Sequence, residues 1–349
     1  WWKRGNLSGS TNGSNQRQII FGTTAFSIYS NHNSSQIDGI NITYTGSAND
    51  VQTSEKFRDV SAWYNFQVVL DTTNDVSTER IRLYKNGQRI TSFASITYPA
   101  KDTQYTVNNT QAHYIGLRNT GENLDGYLAE IAFVDGQALD PSSFGLVNDS
   151  GIWIPRDISG LTFGTNGFHI DGRDSSDLGD DESGNGNDYT TSGMGAHDQV
   201  LDSPTNNFCV MNPLANPGSA TFSEGNLKVT MASGTKKGTY SSFAINSGKW
   251  YVEGRLTSNN NGSQYAYTGI EDYNSAINSG QYIGRDTYGY SYDPANGGVL
   301  HNNSYVVSSG TLPSLAQNDI VQIAVDLDNN AIYWGKNGTF LVPDAIVTF

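Results

Sequence analysis

The chain has 349 residues, of which 36% are hydrophobic and only 15% are charged, so Asn, Ser, Thr and Gly supply most of its polarity. Its net charge of −14 repels phosphate backbones and argues against nucleic-acid binding. The single cysteine excludes an intrachain disulfide, and no apolar run approaches the length of a membrane span. Because the chain opens on Trp1 and not on Met, we expect it to be part of a longer protein.

Alternating apolar and polar residues predict strands along most of the chain, for example over 63–70 and 126–134. One hairpin pattern occurs twice, over 67–87 and 322–338: a strand ending in Asp, a polar turn, and an aromatic strand closing on Lys-Asn-Gly. Asn-Gly tolerates the positive φ angles of a tight turn. The repeat therefore predicts an all-β protein with two β-sandwiches of related plan.

The composition changes between the two hairpins and divides the chain into three parts. We predict a first sandwich over 1–175, an acidic connector rich in Gly, Asn and Pro over 176–218, and a second sandwich over 219–349. The connector is expected to be ordered, because the apolar run 208–211 needs burial.

Acidic residues next to glycines near the start of the connector are candidate calcium ligands, since carboxylate and backbone oxygens suit that ion. The candidates are Asp174, Asp177, Asp180 and Asp181. Their spacing does not match a calcium-loop motif, so a solvated polar turn without metal is the alternative. No other cofactor is expected.

Tyrosines crowd the middle of the second half, from Tyr265 onwards. Tyrosine rings stack on sugars and fill interface pockets while keeping a polar edge. We predict that a ligand contacts Glu271, Asp272, Tyr273, Tyr288 and Tyr292. The alternative is that most of these rings pack within the sheet.

The first half resembles a laminin-G-like domain, which has a concanavalin-A-like fold. The resemblance rests on residues 63–71, 83–87, 114–116 and 124–136, and it covers roughly the first 140 residues. The opening strands of that fold are expected to precede Trp1.

The second half resembles a SPRY domain, itself a concanavalin-A-like sandwich. The matching segments are 248–253, 268–270, 290–293, 318–328 and 332–338. A terminal strand after the last hairpin is not evident, so the domain is expected to be truncated.

The connector is similar to segments of proteins from tailed bacteriophages, through 151–155, 164–168, 181–188 and 202–214. Together the resemblances imply two concanavalin-A-like antiparallel jelly-roll sandwiches in a phage virion protein. They imply a non-enzymatic, lectin-like tail or head fibre at the virion surface, assembled in the host cytoplasm as a homo-oligomer such as a trimer. Its expected partners are other virion subunits and a host cell-surface glycan or protein.

Two other functions stay open at this point. The protein could be a structural capsid or tail decoration protein without receptor binding, or a glycan depolymerase. Depolymerisation needs two facing carboxylates, and glucanases of this fold carry them on a Glu-x-Asp-x-Glu strand that is missing here. Glu130 has no carboxylate two positions away, and Glu253 has Arg255 there. We therefore expect no enzymatic activity.

Overall fold

The computed structural model describes residues 1–5, 7, 17–31, 38–46, 49–118, 122–216, 220–231, 237–258, 267–275, 281–341 and 347–348. Its described residues form 27 strands and three 3-10 turns, the latter at Ser77–Glu79, Pro141–Ser143 and Ala196–Asp198. The predicted all-β class is therefore confirmed. None of the described residues lies in a helix that is long and apolar enough to cross a lipid bilayer.

Contacts between residues divide the chain into two compact units. The first unit contains Trp1–Val210 and Ser223–Lys228, and the second contains Met211–Phe222 and Val229–Phe349. The segment predicted as a connector contributes residues 176–210 to the first unit and residues 211–216 to the second.

The first unit contains sixteen strands in its described part. They are β1 (Trp2–Arg4), β2 (Arg17–Gly22), β3 (Ser27–Asn31), β4 (Ile40–Thr43), β5 (Val51–Thr53), β6 (Trp63–Tyr64), β7 (Phe66–Leu70), β8 (Ile81–Lys85), β9 (Gln88–Ile90), β10 (Phe93–Ile96), β11 (Tyr114–Ile115), β12 (Gly126–Leu128), β13 (Ile131–Phe133), β14 (Gly145–Val147), β15 (Trp153–Pro155) and β16 (Phe168–Ile170).

These strands form a β-sandwich. One layer is a six-stranded antiparallel sheet in the order β10-β5-β4-β3-β2-β11. Smaller sheets, β12-β1-β6, β7-β8-β9 and β13-β16, face it. Apolar side chains from both sets of strands, such as Ile40 and Ile42 against Ile81 and Leu83, pack in a single buried core. Removal of this apolar surface from water holds the layers together.

Two charged residues occupy a fully buried strand in this sandwich. Lys3 and Arg4 lie in β1, between β12 and β6, and are 0% and 1% exposed. Buried charges need partners, because their desolvation is costly. The Arg4 guanidinium pairs with Asp38 at 2.7 Å and donates to the Phe57 carbonyl at 2.9 Å.

The remaining strands are β17 (Thr221–Ser223), β18 (Lys228–Thr230), β19 (Lys249–Arg255), β20 (Thr268–Glu271), β21 (Gly289–Asp293), β22 (Gly298–His301), β23 (Ser304–Val307), β24 (Ile320–Asp326), β25 (Ala331–Lys336), β26 (Thr339–Phe340) and β27 (Val347–Thr348). In the second unit one sheet has the order β19-β24-β25-β26, with β27 also paired to β25, and the other has the order β20-β21-β22-β23. Val299 of the latter and Ile323, Ile332 and Trp334 of the former share one core. The second unit is therefore also a β-sandwich. A two-residue strand that was not evident from the sequence, β27, follows the last hairpin and pairs with β25.

Both repeated hairpins form as predicted. β7 pairs with β8 and β24 with β25, in each case antiparallel. Asn86 and Gly87 have φ angles of 47° and 77°, and Asn337 and Gly338 have φ angles of 51° and 87°. Both Asn-Gly pairs therefore supply the positive φ that the tight turn into the next strand requires.

Candidate binding site

Asp174 and Asp177, two of the four predicted calcium ligands, each organise a local turn. The Asp174 carboxylate accepts hydrogen bonds from the Ser176 backbone N–H at 2.8 Å and from its hydroxyl at 2.7 Å. The Asp177 carboxylate accepts from the Gly179 N–H at 3.1 Å, and Asp180 is exposed. Such bonds from a carboxylate to the backbone two residues ahead are typical of polar turns.

Asp181 is buried and joins two segments of the first unit. Its carboxylate accepts backbone N–H groups from His169 at 2.8 Å, Ser183 at 2.9 Å and Asn187 at 2.9 Å. Burial acts to raise the pKa of Asp181, but these hydrogen bonds outweigh it and hold the pKa below its usual value. Since the donors already use both carboxylate oxygens, Asp181 has a structural role here.

The structure does not bring the four predicted aspartates together. No group of three or more His, Cys, Asp or Glu side chains among the described residues is arranged to hold a metal ion.

The residues predicted to contact a ligand separate into two environments. Tyr292 is 0% exposed in the core of the second unit, and its hydroxyl donates to the Pro313 carbonyl. This placement corrects the prediction that Tyr292 contacts a ligand, because a ring in the core packs against its neighbours and has no free surface. The other four residues lie at one end of the β20–β21 pair.

Strand pairing places these four residues side by side. Glu271, the last residue of β20, is opposite Gly289, and the Asp272 N–H donates to the Tyr288 carbonyl at 2.9 Å. Tyr273 follows immediately and is 78% exposed, while Tyr288 is 51% exposed. The Tyr273 and Tyr288 rings thus lie on the surface beside carboxylates. They lie at the ends of β20 and β21, whose pairing fixes the neighbouring backbone.

Glu271 lies in a partly buried environment with a second carboxyl group beside it. One of its oxygens accepts the Gly284 N–H at 3.0 Å, and Asp286 and Ser275 are close enough to affect its pKa. Burial and the nearby Asp286 raise the pKa of Glu271 to about 7, against the opposing effect of Gly284 and Ser275. Near neutral pH Glu271 therefore carries a proton in a large part of the molecules.

A third tyrosine adjoins the same place. The Tyr240 and Ser275 hydroxyls are 2.9 Å apart, and the Tyr240 and Tyr273 rings lie 6.4 Å apart at an angle of 34°. We call the set Tyr240, Tyr273, Tyr288, Glu271, Asp272 and Asp286 the tyrosine patch. It offers ring faces, hydroxyls and carboxylates on one surface.

The sequence analysis did not identify Tyr240 and Asp286 of the tyrosine patch, nor Ser275 beside it. A signal for Asp286 was present, since an aspartate two residues before Tyr288 suits a turn in which its carboxylate accepts the Tyr288 N–H, here at 2.9 Å. Tyr240 lies 35 positions from Ser275 and no local pattern joins them. The tyrosine at 265 lies outside the described residues.

Neither a protein-family model nor a curated protein matches this sequence. Among solved structures, the SPRY domain of human HERC1 is similar, with 19% sequence identity and a TM-score of 0.24. The similar part covers 30% of this chain and 64% of that domain, which is less than two thirds of its length. The geometry of the described residues defines an all-β protein of antiparallel sheets arranged in β-sandwiches.

Proposed function

We propose that this chain is a non-enzymatic binding protein of a phage virion surface or fibre, and that the tyrosine patch of its second unit contacts a host cell-surface glycan. The observation that carries the proposal is the exposure of Tyr273 and Tyr288, 78% and 51%, next to partly buried carboxyl groups. Exposed rings beside fixed polar groups are typical of recognition surfaces.

The chemistry of the patch suits a sugar. The apolar C–H face of a pyranose stacks on an aromatic ring, and its hydroxyls donate to carboxylates. Tyr273 and Tyr240 supply ring surface, while Asp272 and the Glu271–Asp286 pair supply acceptors. Because β20 and β21 fix the backbone, little conformational freedom is lost on binding.

Glycan hydrolysis fits this pair less well. Glycosidases separate their two carboxyl groups by about 5 Å or more, so that a sugar and a water molecule or nucleophile fit between them. The Asp286 carboxylate accepts the Tyr288 N–H at 2.9 Å, and one Glu271 oxygen accepts the Gly284 N–H at 3.0 Å, so both groups are engaged by backbone donors. This engagement supports binding over bond cleavage.

The virion context of the proposal rests on the connector segments that resemble phage proteins, and on the laminin-G-like and SPRY-like character inferred from sequence. A weak single glycan site gains overall affinity when many copies are displayed together. A homo-oligomer, such as a trimer, joined to other virion subunits is the arrangement in which one tyrosine patch per chain suffices for adhesion.

A glycan array probed with the purified full chain tests the proposal. Tyr273→Ala and Tyr288→Ala are each expected to lower the affinity for a bound glycan about tenfold, through the lost stacking surface. Tyr251→Ala is the matched control, because Tyr251 is 55% exposed but lies on β19 of the other sheet. Equal losses in all three variants, or none in the first two, would contradict the proposed site.

Cell and virion assays separate the other functions. Adsorption of the soluble chain to host cells and inhibition of infection are expected for an adhesion protein. Loss of particle stability without adsorption would instead indicate a decoration protein. Release of reducing ends from host polysaccharide would indicate a depolymerase.

A further inference from the structure

The buried lysine of the first unit has an unusual set of neighbours. Lys3 is 0% exposed, and its Nζ donates to Asp202 Oδ2 at 2.6 Å, to Asn207 Oδ1 at 2.7 Å and to the Phe208 carbonyl at 2.8 Å. An amine, a carboxyl group and a carboxamide are therefore in direct contact. Their sequence positions are about two hundred residues apart, so the fold and not the local sequence brings them together.

The surroundings of Lys3 and Asp202 bury both side chains and fix the carboxylate. The second Asp202 oxygen accepts the indole N–H of Trp63 at 2.7 Å, and the Asp202 side chain is only 6% exposed. The Tyr127 ring lies 5.7 Å from Lys3 Nζ. In such an environment the ammonium and the carboxylate lose most of their hydration, so each depends on the other and on the fixed hydrogen-bond partners around them.

The carboxamide is also held in place. Asn207 accepts the Lys3 N–H through Oδ1 and donates through Nδ2 to the Ser61 carbonyl at 2.5 Å. The Lys3 nitrogen therefore lies next to the carboxamide and hydrogen-bonds its carbonyl oxygen. Unlike Lys3, Asn207 is exposed as a residue, which leaves a route to solvent for a small leaving group.

We propose that Lys3 and Asn207 form an intramolecular isopeptide bond, with Asp202 as the proton acceptor and donor. Asp202 takes a proton from Lys3 Nζ, and the free amine attacks Asn207 Cγ. The Nζ–Cγ bond forms, Nζ gives up a second proton through Asp202, and Cγ–Nδ2 breaks as both protons pass to the departing nitrogen. The nitrogen leaves as one ammonium ion, so the neutral chain loses the mass of one ammonia; no electrons are transferred to or from another molecule, and no co-reactant is needed.

Lys3, Asp202 and Asn207 meet the usual requirements for a spontaneous reaction between side chains inside a protein. The nucleophile is desolvated and touches a general base, and the electrophile is already in contact with it. The product would tie strand β1 to the end of the segment Trp1–Val210, closing a loop across a sequence separation of 204. A covalent tie of this kind suits a protein exposed to pulling or to proteases outside a cell.

Intact-mass spectrometry of the denatured full chain tests the proposal directly. The expected mass is lower than that of the sequence by one ammonia, and proteolysis should release a branched peptide that joins Lys3 to Asn207. The full, unmodified mass would overturn the proposal, leaving Lys3 as an ammonium held by three acceptors. Loss of ammonia without the branched peptide would overturn it as well, because cyclisation of Asn207 alone gives the same mass.

Three variants complete the test. Asn207→Ala should restore the unmodified mass expected for that sequence. Asn206→Ala is the matched control and should keep the ammonia loss. The hydrogen bonds of Asn206 to Ser203 run between backbone groups, so the substitution leaves them in place. Asp202→Asn keeps an acceptor for Trp63 but removes the base, so the fraction of linked chain should fall several-fold. An unchanged linked fraction in Asp202→Asn would overturn the role of Asp202.

Discussion

Replacing Glu271 with Gln should stabilise the protein at pH 8 and leave it nearly unchanged at pH 4. The Glu271 carboxyl is partly buried beside Asp286, and its pKa is raised from 4.5 to about 7. A glutamine side chain has almost the same shape and resembles the protonated acid. It can still accept the Gly284 N–H through its oxygen, and it places no negative charge beside Asp286.

The sign of the stability change follows from the numbers of protons that the folded and unfolded chains bind. Between pH 4.5 and 7 the folded chain keeps a proton on Glu271 that the unfolded chain releases, so stability falls as the pH rises through this window. The full difference in pKa corresponds to about 3 kcal/mol. Because the side chain is partly exposed, solvent screening reduces the expected penalty to about 1–2 kcal/mol above pH 7. Glu271→Gln removes this penalty.

Urea unfolding of the wild type and the variant at pH 4 and pH 8, followed by tryptophan fluorescence, measures this difference. Asp272→Asn is the control, since it removes an exposed carboxylate from the next residue, where Asn274 contacts it. Equal stability changes at the two pH values, or a variant less stable than the wild type at pH 8, would refute the reasoning. Either result would also argue against a raised pKa for Glu271 in the tyrosine patch.

Three further stability predictions use the same urea assay. Gly87→Ala should lower the free energy of unfolding clearly more than Gly338→Ala. Both glycines have positive φ, where alanine costs about 1 kcal/mol of stability. A Cβ at Gly87 would in addition lie 2.8 Å from the Trp153 ring, whereas a Cβ at Gly338 would have no atom within 4 Å. Leu83→Ala, at a side chain with 0% exposure, should cost about 2–5 kcal/mol through the cavity left in the first core. Asp181→Asn should destabilise by about 1–3 kcal/mol at neutral pH, and the loss should shrink as acid protonates the wild-type carboxylate, whose pKa is lowered in the folded state.

The repeated hairpins could be predicted from the sequence because their causes are local. Asn86-Gly87 and Asn337-Gly338 specify the turn through their own backbone preferences, and the alternation beside them specifies the strands. The all-β class follows from the same signals repeated along the chain. A terminal strand of two residues, Val347–Thr348, is too short to give such a signal, and its pairing with β25 is set by the rest of the sheet.

The buried charges of β1 could not be predicted in this way. Trp2, Lys3 and Arg4 show the composition of an exposed or terminal segment, yet all three are buried. Their burial depends on partners that no local pattern reveals: Asp202 for Lys3 and Asp38 for Arg4. A charge enters a core only where the fold supplies its counterpart, so the pairing is a property of the tertiary structure.

Tyr288 and Tyr292 show why alternation alone does not separate exposed tyrosines from buried ones. Both have the same parity, so alternation assigns them to one face of a strand. Tyr292 lies within β21, where the opposing sheet covers it, whereas Tyr288 precedes the first residue of β21 and is half exposed. Position relative to the strand end, and not parity, therefore separates the core ring from the exposed ring. The same reasoning explains why Tyr273, two residues beyond the end of β20, is the most exposed ring of the patch.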